Sequence, residues 1–142
     1  MALAETPDID LSEGYTPSEA EAYMCAQHLE FFRRKLLTWK QDIVDESRET
    51  IAYLQKESGT HPDVTDRASS EADRTLELRA RDRQRKLVAK IDAALARIED
   101  GSYGYCEATG EPIRLARLQA RPIATLAIEA QERHEQKERI GN

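Results

Sequence analysis

Three groups of residues in this 142-residue chain have the types and spacing to do chemistry. The first is a pair of carboxylates, Asp63 and Asp66, set in the turn-forming run Gly59-Thr60-His61-Pro62-Asp63-Val64-Thr65-Asp66-Arg67-Ala68. Both residue types shape turns and cap helices. Either could instead project toward a partner's metal or polar groups. As a catalytic pair they lack the walled site that moves two carboxyl pKa values apart, and the chain reads as a non-enzyme. The second group is basic. Arg79, Arg81, Arg83, Arg85, Lys86 and Lys90 crowd one stretch, and Arg114, Arg117 and Arg121 form another. Interleaved with Glu77 and Asp82, the first run reads as a solvated helix face. Cations converging from two segments could also hold a phosphate. The third is Cys106 in Cys106-Glu107-Ala108-Thr109, placed as the first knuckle of a zinc ribbon would be. Thr109 is no credible ligand, Cys25 lies in another segment, and His134 sits on a charged helix. Four ligands are not available, so Cys106 reads as a free thiol, without the neighbouring histidine that would activate it.

Long helices must position these groups. Gly59 and Pro62 are the main helix breakers between about 17 and 101, so two long helices should fold back as an antiparallel hairpin with its tip at 59–68. The first is expected to start at Thr16-Pro17-Ser18-Glu19, a capping-box pattern with proline at the first helical position. Leu29, Phe32, Leu36, Trp39 and Ile43 recur at alternating spacings of three and four, a coiled-coil seam. From Glu19 to Lys56 such a helix would run roughly 55 Å. The second helix is expected from Asp66–Ala68 to Gly101, with a stripe through Ala72, Leu76, Ala80, Gln84, Leu87, Ile91, Ala94 and Ile98. A turn-rich aromatic segment follows, then a last helix opened by Arg121-Pro122, with Ile123, Leu126, Ala127 and Ala130 on one face. The expected fold is all-α: a long antiparallel coiled-coil hairpin, a small zinc-finger-like globular base and a C-terminal helix. The expected divisions are a mobile tail over 1–15, the hairpin with its entry helix over 16–101, and the degenerate finger with the last helix over 102–142.

Composition agrees. Hydrophobic residues make up 39% and charged residues 34% of the chain, and the mean hydropathy is −0.72, which suits solvated helices better than a thick globule. A net charge of −6 argues against general nucleic-acid binding. No stretch approaches a membrane span or a signal peptide, and two cysteines make no disulfide framework, so a soluble cytoplasmic protein with reduced thiols is expected.

Four segments carry a resemblance. Asp63-Val64-Thr65-Asp66-Arg67-Ala68, the stretch Leu76-Glu77-Leu78-Arg79-Ala80-Arg81-Asp82-Arg83-Gln84-Arg85-Lys86-Leu87, then Ile98-Glu99-Asp100-Gly101-Ser102-Tyr103-Gly104-Tyr105-Cys106 and Arg117-Leu118-Gln119-Ala120-Arg121-Pro122 resemble the DksA/TraR family, in register and in order. Tyr23-Met24, Phe32-Arg33-Arg34 and Trp39 extend the likeness toward the N-terminus. The resemblance implies a monomeric transcription factor that binds RNA polymerase, not a specific DNA sequence, and inserts a coiled coil into the enzyme's secondary channel. It implies a functional tip at Asp63, Asp66 and Ala68, and a polymerase contact at Arg83. It also implies a site for guanosine tetraphosphate (ppGpp), the co-effector of the stringent response, at Leu87, Lys90 and Arg121; a further family lysine falls on Gln131. The four finger cysteines map to Cys106, Thr109, Ala127 and Ala130, so the chain looks like a zinc-independent branch. The expected activity is modulation of open-complex stability in initiation. Two alternatives stand beside it: a factor that stimulates transcript cleavage through a tip-held metal, and a plain coiled-coil adaptor.

Overall fold

The structure is a computed structural model that describes residues 10–57 and 64–141. Among these residues the chain is helical, without strands: α1 (Ala26–Glu57), α2 (Val64–Asp100), α3 (Leu115–Ala120) and α4 (Ile128–Ile140). An isolated antiparallel bridge joins Tyr105 and Pro112. The expected tip at 59–68 lies partly outside the described residues: Asp63 is not described, and Asp66 and Ala68 fall in the first turns of α2. The chain forms two compact units. One contains the N-terminal residues through Leu36 together with Ala93 onward; the other is Leu37–Asp92.

The second unit is a two-helix hairpin. Lys40 pairs with Asp92 at 2.7 Å, and the Ser47 hydroxyl donates to Gln84 Oε1 at 2.8 Å. One partner number rises as the other falls, which is the register of antiparallel helices. Ile43 and Ile91 are buried, in agreement with the expected seams, but the packing beyond them is thin. Leu76, expected on the inner stripe, is 62% exposed, and Leu78 is exposed as well. The half-buried positions in that part of α2 are Glu77, Ala80, Arg81 and Gln84, so the interior there is small or polar. A helix of 3.6 residues per turn cannot keep 72, 76, 80, 84 and 87 all on one line.

The first unit departs from expectation at both ends. The first helix begins at Ala26 and not at Pro17. Residues 16–25 form turns instead, because Glu21 and not Glu19 takes the Ser18 amide, at 2.9 Å, and accepts the Tyr15 hydroxyl, at 2.8 Å. Met24 then adopts φ 53°, which no helix continues through. Tyr15, the last residue of the expected tail, packs edge-on against Phe31; residues 1–9 of that tail lie outside the described residues. The last helix begins at Ile128 and not at Pro122; 115–120 is a separate short helix. The carbonyls that a helix from Pro122 would use internally point elsewhere. Pro122 accepts the Tyr103 hydroxyl at 2.7 Å, Thr125 accepts the Glu107 amide at 2.8 Å, and Leu126 accepts Arg117 Nε at 2.8 Å.

Near the start of α1 the buried Glu30 carboxylate accepts Arg33 Nε at 2.9 Å and Arg34 Nε at 2.7 Å. The bonds from Arg33, and then those from Arg34, outweigh burial and hold its pKa below the ordinary glutamate value. A carboxylate depressed in this way stabilises the fold at all pH values above its unfolded pKa, and the contribution is lost as pH falls through the folded pKa. Glu30→Gln is therefore expected to cost about 1–2 kcal/mol at neutral pH, a figure reduced by the solvent around the arginines. Urea denaturation should show the gap between variant and wild type closing as pH is lowered well below 4.5.

Candidate functional site

The segment after α2 turns on glycine. Gly101 ends α2 at φ 85°, and the amides of Ser102 and Tyr103 both return to the Arg97 carbonyl. Gly104, at φ 92°, has no room for a side chain: a Cβ there would meet Met24 Sδ and the Tyr23 hydroxyl oxygen, each at 3.0 Å. Tyr23 approaches so closely because its hydroxyl reaches two carbonyls, Gly104 at 2.6 Å and Ile113. Those carbonyls flank a small loop closed by Ile113 N–H to Gly104 O and Cys106 N–H to Glu111 O. Tyr103, wholly buried, packs on Phe32 with ring centroids 5.5 Å apart.

This loop, the residues before α4 and the start of α4 bring the four finger positions together. Cys106 is buried, and its sulfur accepts from the Thr109 side chain and from the amides of Ala127, Thr109 and Ala108. Burial raises the thiol pKa, but these donors outweigh it and bring it to about 7. Thr109 is exposed, Ala127 caps α4, and Ala130 is buried. The donor set is thus one thiol, one hydroxyl and two methyl groups, and it does not fit a tetrahedral zinc ion. Apolar side chains fill part of this space at Ile113 and Ala130, both buried, while Leu126 and Ile123 are only half-buried. Much of the closure is hydrogen bonding instead, through Glu107, Tyr103 and Arg117.

The other residues singled out in the sequence are placed as follows. Arg83 and Lys90 are exposed on α2, and Leu87 is half-buried between them in sequence. Arg121 is exposed and ends α3, its amide bonded to the Arg117 carbonyl at 2.7 Å. Gln131 Nε2 donates to Glu135 at 3.1 Å.

One cluster escaped the sequence reading. Glu21, Cys25 and His28 bring their ligand-type atoms within 4.8 Å of one another. His28 is fully buried, and the Met24 amide donates to its Nδ1 at 3.2 Å. An imidazole that accepts at Nδ1 carries its proton on Nε2 when neutral. That nitrogen has no direct hydrogen bond and faces Glu21 Oε1 at 3.5 Å. A protonated Nε2 is no metal ligand, so the group serves as the polar joint that ties residues 15–24 to the first turn of α1. The only signal in the sequence was a histidine three residues after Cys25, which is too common to use.

Comparison with known proteins adds the following. The family model of the DnaK suppressor protein DksA, N-terminal domain, matches residues 28–98, and that of the prokaryotic dksA/traR C4-type zinc finger matches residues 101–136. The chain is 66% identical over 126 residues to the RNA polymerase-binding transcription factor DksA of Caulobacter vibrioides, covering 89% of each chain. It is 44% identical over 117 residues to the protein of that name in Escherichia coli, covering 82% of this chain and 78% of that one. Among solved structures it is similar to transcription factor DksA2 from Pseudomonas aeruginosa, with TM-score 0.79 and 42% identity, covering 87% of this chain and 94% of that one.

The donor set predicts that purified protein carries far less than one zinc per chain, and that EDTA leaves the thermal transition in place. Cys106→Ser should be nearly neutral, whereas Ile113→Ala should cost roughly 2–5 kcal/mol, the usual loss for a fully buried large side chain. Metal analysis and chemical denaturation check both.

Proposed function

Because the chain belongs to the DksA family, we propose that it is a transcription factor that binds RNA polymerase directly, enters the secondary channel with its hairpin, and modulates initiation together with ppGpp. The observation that carries this reading is the 66% identity, over 89% of both chains, to a protein named for binding RNA polymerase. The antiparallel pairing in the second unit and the retained segments around Asp63, Asp66 and Arg83 support it. In this reading the acidic tip, Asp63 and Asp66 with Ala68, works near the polymerase active site, and Arg83, exposed on α2, contacts the polymerase. Leu87, Lys90 and Arg121 supply the contacts to ppGpp; the two cations are exposed, as an interfacial anion site requires. Gln131 gives that site one charge fewer than the family pattern. The protein acts as a monomer in the cytoplasm, without specific DNA contacts and without catalysis of its own.

The mechanism is a population shift. A factor that prefers one polymerase–promoter conformation moves the equilibrium by its differential affinity alone, and a few kcal/mol changes a short-lived open complex by orders of magnitude. In transcription reactions with purified polymerase, Asp66→Asn is expected to keep binding and lose the effect on initiation. If Asp66, in the first turn of α2, serves only the helix start through its charge, the variant would instead lose about 0.3–1 kcal/mol of stability and retain its effect. Lys90→Ala with Arg121→Ala is expected to remove the response to ppGpp and spare the effect seen without it. Failure of the wild-type chain to bind polymerase would overturn the whole proposal.

A further inference from the structure

The second basic cluster is not used up by the proposed function. Arg114, Arg117 and Arg133 line a cleft of about 350 Å³ together with Thr109, Ala127 and Ala130, three of the four finger positions. They reach it from three places: the residue before α3, α3 itself and the second turn of α4. Arg117 is fixed there, with Nε bonded to the Leu126 carbonyl at 2.8 Å, and Arg133 Nε leans on the Glu129 carbonyl at 3.4 Å. Glu111 and Glu129 also line the cleft, but among the described residues neither forms an ion pair with any of the three arginines.

Charge explains why this matters. A finger with four thiolates around one divalent zinc carries a net charge of about −2. Here those positions hold one thiol, one hydroxyl and two methyl groups, so at most the single charge of the Cys106 thiolate remains. Three guanidinium groups remain around the cleft, against two carboxylates. Ala127 caps α4 without a side-chain acceptor, so the first amides of that helix gain no partner from it. Guanidinium forks match phosphate oxygens in geometry and charge. The volume lies at the small end of the range for molecules of metabolite size and exceeds what a lone phosphate needs.

We propose that this cleft binds a small phosphate-bearing molecule, with its phosphate held by Arg114, Arg117 and Arg133. The residues are separate from Leu87, Lys90 and Arg121, so the site stands whether or not the ppGpp reading holds.

Titration of the full chain, followed by calorimetry and by phosphorus NMR, tests it. Inorganic pyrophosphate is the first probe and a nucleoside diphosphate the second. Saturable binding of either with a dissociation constant of about 1 mM or tighter is expected. Preference for pyrophosphate would mark a site for the phosphate groups alone, and preference for the nucleotide one that also holds a base. Arg114→Gln with Arg133→Gln should weaken binding at least about tenfold. Both side chains are exposed, so folding should be spared, as circular dichroism would verify; Arg117 is left intact because it holds Leu126. Lys90→Ala with Arg121→Ala should leave the affinity unchanged. Absence of saturable binding by both probes would overturn the proposal. So would binding that survives loss of Arg114 and Arg133 but disappears with Lys90 and Arg121.

Discussion

The base depends on the reach of one hydroxyl group. Tyr23 extends from the turn before α1 and bonds the carbonyls of Gly104 and Ile113, which are the two ends of the loop that holds Cys106. Gly104 must be glycine for the ring to arrive, and Met24 takes a left-handed conformation as the chain leaves that contact for the helix. Around this joint lie further bonds from side chain or amide to backbone: Tyr103 to Pro122, Glu107 to Thr125, and Arg117 to Leu126. Each neutral bond is worth about 1 kcal/mol net, so closure is spread over many contacts. A structural zinc centre concentrates it, with roughly 10–16 kcal/mol of binding free energy in one place. Here the same loop is closed by several weaker contacts, none of which needs a metal ligand.

The second unit is built to different rules. Its interior contains a Ser47–Gln84 bond, alanine and partly buried charged stems, while Leu76 and Leu78 face outward. Apolar burial is the main source of helix-pair stability, at about 25 cal/mol per Å². A hairpin that places leucines outside and polar groups inside gives up part of that source. Such elements belong to the low-stability end of a fold, where opening is easiest.

Much of this was legible in the sequence. The two long helices, their order and the buried positions Phe32, Leu36, Ile43, Ile91 and Ala94 follow from three–four periodicity. The family segments indicated the family that the comparisons then showed. Reading failed where a long-range bond overrode a local signal. Thr16-Pro17-Ser18-Glu19 has every mark of a helix start, yet Glu21 takes the Ser18 amide and the chain turns toward Gly104. Arg121-Pro122 likewise resembles a start, but three carbonyls beyond it face the finger loop and α3. The cleft among Arg114, Arg117 and Arg133 was half visible, as a cluster without a shape. Arg133 joins it from α4, which begins six residues later than the proline suggested.

If the base closes without metal and the chain binds RNA polymerase, zinc should make no difference to that binding. The most direct measurement is binding of the chelator-stripped, full-length chain to purified polymerase core enzyme, by interferometry, before and after zinc is added back. The account predicts saturable one-to-one binding with the same affinity in both conditions. No binding, or binding that appears only after zinc is restored, would contradict it.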